Sequence, residues 1–336
     1  MRVTPLLFFF FSWIFLSCQA TFPTDSRWQV YPGGQGVGAG KRVVFLAGDE
    51  EYRSEEALPM LARLLSKHHG FSCAVLFSQN PITGEINPDE STHMPGMHLI
   101  ANADLVVMQL RFREFSDKDM SVLMQYVESG KPLIGIRTST HPFNYKKNAE
   151  SPFAKWSWRS AGPPGGFGKE IFGETWVAHH GHHGKEATRG IPHPENADHP
   201  ILRGVTDVFG TTDVYAIRSL PEDATILLHG SVRDGMTSDA PAVEGPKNQP
   251  MHPVAWTRKR PLGNGMIQRI VMTTMGAAQD WSSRDLRRLF MNSTAWCLDL
   301  ERGIPEDGLK ATMFGLWNPS AFGFGGFQPK KMPHSQ

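Results

Sequence analysis

The sequence predicts an α/β protein: a mostly parallel β-sheet with helices packed on both faces, three layers in all. Three observations lead there. Continuous apolar runs recur at residues 42–47, 73–77, 104–110 and 132–136, the pattern of strands buried on both sides. Segments with helix start and stop signals separate them. Short polar segments follow three of the runs at once, as the turns of alternating α/β chains do.

Residues 21–40 are rich in glycine, proline and polar side chains and read as a linker. Arg42-Val43-Val44-Phe45-Leu46-Ala47 is the first strand. After a polar turn, Ser54 is placed to cap a helix running to about His69, which Gly70 closes. Pro59 predicts a later start or a distorted first turn. Residues 73–77 form a second strand, and a long loop with Asn80-Pro81 and Asn87-Pro88 leads to a third at 104–110. Ser116 caps the next helix, with Asp117 and Asp119 where acids complement the helix dipole; Gly130 ends it. Residues 132–136 are the fourth strand. Residues 143–190 carry much glycine, tryptophan and histidine without periodicity, an elaborated loop region over the sheet. Strands return near 213–217, 225–232, 253–257 and 266–274. A last helix spans about 283–300, capped by Ser282 or Ser283, with Leu286, Leu289, Phe290, Ser293 and Trp296 as its core stripe. Residues 303–336, rich in glycine, proline and phenylalanine, are expected to lie as a strap over a single domain at 41–302. No internal repeat is visible.

Residues 1–20 stand apart. Arg2 precedes an apolar run at 6–16, and Cys18-Gln19-Ala20 resembles a small-residue cleavage site. That is the layout of a secretory signal peptide, with a short membrane anchor as the competing reading. Leu16-Ser17-Cys18 is a partial lipobox, so lipid attachment at Cys18 is the other alternative. An exported protein of the periplasm or cell envelope is expected. The formal net charge is +1, and the longest basic block is Arg258-Lys259-Arg260; this balance argues against a nucleic-acid binder. Besides Cys18 there are only Cys73 and Cys297, read as small buried hydrophobes rather than a disulfide framework.

Ligands of open α/β sheets bind outside the carboxyl ends of the strands. That rule selects Asp49-Glu50-Glu51-Tyr52-Arg53, Arg111-Phe112-Arg113 and Arg137-Thr138-Ser139-Thr140-His141, each directly after a strand. A strand followed by a sharp turn is also where α/β enzymes place a nucleophile; Ser139 with His141 is the pair available, and no cysteine is there. His179-His180-Gly181-His182-His183 puts four histidines in five residues. Such a cluster suits general acid–base chemistry near neutral pH or a divalent metal such as zinc. In an extended segment His180 and His182 share one face, which makes them the metal candidates; no other cofactor is expected. His193-Pro194-Glu195 resembles the His-x-Glu pair of glutamine amidotransferases but lacks their cysteine, and is read as coincidence.

These motifs together resemble the ThuA-like (trehalose utilisation) family, of the class I glutamine amidotransferase-like superfamily. The residues that carry the resemblance are 48–59, Arg111-Phe112-Arg113, 135–143, the histidine cluster, Asp198-His199-Pro200-Ile201, Thr212-Asp213-Val214-Tyr215, Pro253-Val254-Ala255-Trp256, 273–278 and 287–292, over about 41–300. The resemblance implies a flavodoxin-like sheet without the amidotransferase cysteine, and a part in using trehalose or related disaccharides, including keto-sugars made by a partner dehydrogenase. Many members carry a histidine after the glycine of Met275-Gly276-Ala277, where this chain has Ala277. The long insert after His141 either compensates or marks a different substrate. The expected activity is isomerase- or hydrolase-type acid/base chemistry on a sugar or keto-glycoside. His179 or His180 would be the acid/base and Glu51 the second carboxylate. Arg53, Arg111, Arg113, Arg137, Thr138, Ser139, His141, Asp213 and Tyr215 would bind substrate, and Trp176 would stack on a sugar face. A non-catalytic carbohydrate-binding protein of the envelope and a histidine metallohydrolase are the alternatives. A homodimer is also considered.

Overall fold

The computed structural model describes residues 21–263 and 265–335. The leader read at 1–20, with Cys18, lies outside the described residues. Among those described, no helix is long and apolar enough to cross a membrane.

The apolar runs become the centre of one mixed sheet. Its strands, in chain order, are β1 (Trp28–Tyr31), β2 (Arg42–Gly48), β3 (Ser72–Phe77), β4 (Leu105–Leu110), β5 (Leu133–Ile136), β6 (Ala187–Pro192), β7 (Val208–Gly210), β8 (Ala224–Arg233), β9 (His252–Pro261) and β10 (Ile267–Thr273). Across the sheet they run β1-β3-β2-β4-β5-β10-β9-β8-β6-β7. Neighbours from β3 to β10 pair in parallel; β1 at one edge and β9, β8, β6 and β7 at the other pair antiparallel.

Alternation along the parallel strands splits the interior in two. Val43, Phe45 and Ala47 pack with α1 (Ser54–His69) and α3 (Arg284–Cys297), whereas Val44 and Leu46 pack with α2 (Asp117–Glu128). Helices on both faces explain why these strands read as unbroken apolar runs. Cys73 and Cys297 are buried free thiols.

Several expectations need correction. The segment read as a linker contains β1, which lies antiparallel to β3 and buries Trp28. Ser54 does not cap α1. The cap is Arg53 in the left-handed region (φ 59°), and the Ser54 hydroxyl instead accepts from the Asp49 amide at 3.0 Å. The tight turn after β2 requires that geometry. Pro59 lies within α1, which continues through it to Gly70 (φ 79°). The loop region holds β6 near its end, and residues 213–217 form no strand. Ser116 and Ser283 do cap α2 and α3, accepting from Asp119 and Leu286 amides.

The turn after β5 (137–140) is held from below by Gly168. A Cβ there would meet the Thr140 carbonyl oxygen at 1.8 Å. Gly168→Ala is therefore expected to cost about 3 kcal/mol in urea unfolding, at the severe end of overpacking. A cost within experimental error would show that this turn shifts freely.

Candidate functional site

The chain leaves β2 to build β3 on one side, then returns to build β4 on the other. This is a topological switch point, and the crevice beyond it is where open α/β sheets bind ligands. A cavity of about 360 Å³ lies there, lined by Glu51, Arg111, Phe112, His141, Trp176, His179, His183, Tyr215, Gly323 and Phe324.

The backbone is strained around it. Five non-glycine residues among those described have positive φ, and three follow these strands: Arg53 (59°), Phe112 (53°) and Arg137 (44°). Such conformations persist only where the surroundings enforce them, and they gather at functional sites. Arg137 sits at the sharp turn where a nucleophile was sought. Ser139 is fully buried and its hydroxyl donates to the Met108 carbonyl at 2.7 Å, so the serine reading fails on geometry. His141 Nδ1 lies 2.9 Å from the Thr140 hydroxyl, not from Ser139.

The histidine segment reaches the crevice through residues 213–216. His179 bridges Tyr215, the His180 and Gly181 amides donate to the Val214 carbonyl, and the Ala216 amide donates to Ala178. Gly181 permits the approach, because a Cβ there would lie 3.1 Å from the Asp213 Cβ. The chain then turns through His182–Glu186 hydrogen bonds and brings His183 back beside His179, ring centres 4.7 Å apart.

Asp213 organises the pair. Its Oδ2 accepts from His179 Nδ1 at 2.7 Å, and its Oδ1 accepts from His183 Nδ1 at 3.1 Å and from Arg137 Nη2 at 2.8 Å. Arg137 is fully buried, also donates to the Asp213 and Thr274 carbonyls, and lies against the Tyr215 and Tyr52 rings at 3.8 and 4.6 Å. Burial pushes the Asp213 carboxyl up, but Arg137 and the two histidines outweigh it and hold it well below the usual range. His183 Nε2 lies 3.3 Å from Glu51 Oε1. For Glu51 as well, burial is overcome by His183 and Arg111, and the carboxyl is lowered. Arg111 Nε is 3.4 Å from Glu51 Oε2. His141 is held neutral by burial, reinforced by the nearby Arg111 and Arg137 charges.

The hydrogen bonds to Asp213 and Glu51 raise His183 to about 9. A group raised on folding above its free value of 6.5 stabilises fully below that pH, and the gain disappears as pH rises through about 9. Stability in urea should therefore be greater at pH 7 than at pH 10, and His183→Gln should shrink that difference. An unchanged difference would remove His183 as its source.

The structure brings Glu51, Arg111, His141, Trp176, His179 and Tyr215 to the cavity wall, with Asp213 and Arg137 directly behind. Others belong elsewhere. Arg53 is buried and donates to the Glu50 and Gly323 carbonyls. Arg113 is buried against Glu50 and the Pro88 and Glu90 carbonyls. Thr138 is buried with its hydroxyl on Asp49. His180 Nε2 turns to the Lys247 carbonyl at 2.8 Å and its ring stacks edge-on with His252. His182 is exposed beside Glu186. The reading of His180 as acid/base and of His180 and His182 as metal ligands is thus corrected: the opposite face of the segment points inward. Among the described residues, the set suited to a metal is His179, His183 and Asp213, with ligand atoms within 4.8 Å of one another. His183 was missed as a site residue, although its spacing of four from His179 is a signal. Tyr52 lies in a strand-end segment selected above but was not singled out, and Phe322 and Phe324 lie in the phenylalanine-rich strap, where nothing local marks them as neighbours of the site. His193 accepts from the Glu195 amide and lies beside His229, apart from the site.

A mixed sheet with a parallel centre, strained turns at its strand ends and a histidine–carboxylate pocket beyond them defines an α/β protein whose candidate site lies at the carboxyl ends of the parallel strands, with no cysteine at the turn after β5. The ThuA, trehalose utilisation, family model matches residues 42–297, and the chain belongs to that family. Membership supports a role in carbohydrate utilisation. Distant structural likenesses include ThuA-like proteins of Bacteroides uniformis (TM-score 0.48, 13% identity, 76% of this chain and 90% of that one) and Parabacteroides merdae (0.45, 12%, 81% and 96%). A third is the Trypanosoma brucei CTPS glutaminase domain with bound acivicin (0.37, 7%, 83% and 96%). No curated protein matches the chain.

Proposed function

We propose that the protein acts on a keto-sugar or keto-glycoside by acid/base chemistry, as an isomerase or hydrolase of the cell envelope. One observation carries the reading: His179 and His183 share Asp213 at the wall of a cavity that also holds Arg111. Because His179 Nδ1 donates to Asp213, its Nε2 keeps a lone pair for a proton, as in other carboxylate-oriented histidine bases. Abstraction of the proton beside a carbonyl sends the electron pair onto the carbonyl oxygen. The cations Arg111 and His183 are placed to stabilise that oxyanion. For isomerisation the proton returns to the former carbonyl carbon while the neighbouring hydroxyl passes its own proton to the oxyanion, so the carbonyl moves one carbon along; for hydrolysis the same enolate expels the glycosidic oxygen β to the carbonyl, which leaves as an alcohol with the His179 proton, and water then adds across the double bond. A partner dehydrogenase that oxidises a secondary sugar hydroxyl would supply the substrate.

The test is incubation of purified protein with 3-keto-trehalose in heavy water, followed by mass spectrometry. Deuterium uptake beside the carbonyl, with isomerised or cleaved product, is expected. Binding without either would make this a carbohydrate-binding protein, and no interaction would overturn the reading.

A divalent-metal centre has one observation on its side, the proximity of the His179, His183 and Asp213 ligand atoms. Against it, both Asp213 oxygens are engaged, one of them by Arg137, whose charge opposes a cation. Turnover is accordingly expected to survive EDTA dialysis. Loss on chelation with recovery in zinc would make the histidines ligands.

A further inference from the structure

The cavity has one wall from outside the family domain. The family match ends at residue 297, yet Gly323 and Phe324 line the cavity. Around residues 317–323 the strap that supplies them is pinned beside the site. Trp317 Nε1 donates to the Ala278 carbonyl at 3.0 Å, the Ser320 amide to Glu56 at 2.8 Å, and the Phe322 amide to Gln279 at 3.2 Å. The Gly323 amide donates to the Glu51 carbonyl at 2.7 Å, while Arg53 donates to the Gly323 carbonyl. Two reactive-site neighbours are covered directly. Phe322 packs on His183 and Tyr52, at 5.3 and 5.7 Å between ring centres. Phe324 lies over the Arg111 guanidinium at 4.9 Å, with Phe112 on the same group at 4.5 Å.

Phe324 is nonetheless 64% exposed, an apolar ring left largely uncovered at the edge of the cavity. The rest of the aromatic surface is fixed: Trp176 packs on Trp158 and His141, and Phe112 on both of those. Gly323 and Gly325 beside Phe324 have φ of 135° and 69°, so the backbone here uses conformations that glycine adopts at little cost. Aromatic rings with a free face suit the apolar face of a pyranose, whose axial hydrogens form a flat hydrophobic patch.

We propose that residues 320–324 are a wall that completes the pocket and that Phe324 is a substrate-contacting, specificity-setting residue stacking on a sugar ring. Phe322 is a positioning residue that acts through His183. The inference rests on the carbohydrate reading for its ligand, though not for the wall itself.

Two readouts on the full chain separate these. Phe324→Ala should raise KM for 3-keto-trehalose about 10-fold with a smaller change in kcat, and Phe324→Trp should restore it; equal KM in wild type and Phe324→Ala overturns the contact while leaving the carbohydrate reading intact. Independently of any sugar, diethylpyrocarbonate should modify His179, whose Nε2 is free, several-fold faster in Phe322→Ala/Phe324→Ala than in wild type, with exposed His98 unchanged as control. Equal rates overturn the wall. Faster modification in a protein that binds no sugar keeps the wall and sinks the carbohydrate reading. Should the variants fail to fold, the wild-type chain decides: 3-keto-trehalose that quenches tryptophan fluorescence should also slow exchange of the Gly323 amide, and quenching without slowing overturns the proposal.

Discussion

His179→Gln is expected to lower turnover of 3-keto-trehalose, the proposed substrate, about 1,000-fold, within the span usual for loss of a general base, while the unfolding midpoint should stay close to that of wild type. Glutamine fills similar space and can still donate to Asp213 Oδ2, so the hydrogen bond at 2.7 Å survives in kind. What it lacks is a nitrogen that takes and returns a proton near neutral pH. The His179 side chain is 34% exposed at the cavity, so little packing depends on it. The measurement is kcat/KM alongside urea unfolding. A loss below about 10-fold would move the base elsewhere, with Glu51 as the next group on the wall. A large loss accompanied by unfolding would instead make His179 a structural residue.

Asp213→Asn acts on stability first. Arg137 is wholly buried and Asp213 is its carboxylate partner. The aromatic faces of Tyr52 and Tyr215 and two carbonyls help, but none carries a full negative charge. Removing one member of a buried ion pair leaves the other uncompensated, which costs about 3–5 kcal/mol. The loss should appear in urea unfolding at pH 7. Arg137→Met combined with Asp213→Asn should recover part of it, because the stranded cation is gone. No recovery would show that hydrogen bonds to the histidines, rather than the Arg137 charge, dominate. Activity should fall as well, since His179 and His183 both lose their orienting carboxylate. His183 should then titrate below about 9, as the Asp213 bond is the largest of the influences that raise it.

The parallel half of the sheet was legible because burial on both faces writes itself as unbroken apolar runs, and Ser116, Ser283 and Gly70 signal helix ends by local chemistry alone. The strand-end rule likewise located Glu51, Arg111 and Arg137. It could not say which side chains turn inward. Arg53 and Arg113 lie in the same strand-end segments as Glu51 and Arg111, yet buried carbonyls and Glu50 consume them. In the histidine segment, alternation had to be anchored by a partner, and that partner is the stretch at 213–216 some thirty residues on. Without knowing that His179 bridges Tyr215, the inward and outward faces are indistinguishable. β7 is only three residues long, and β6 has Thr188, Arg189 and Gly190 in its middle; both lie at the antiparallel edge, so their apolar signal is weak.

The order in which these pieces occur along the chain has a bearing on synthesis. Glu51, Arg111 and Arg137 emerge within the first 140 residues and can settle on the parallel strands. The imidazoles and Asp213 arrive later, and Phe322 and Phe324 follow more than a hundred residues after Asp213. A nascent polypeptide would thus hold cations and a carboxylate in position with nothing to move a proton and no roof overhead. The aromatic cover is thus added after the imidazoles and Asp213 are in place, and deleting residues 320–324 should spare the core while leaving the pocket open to solvent.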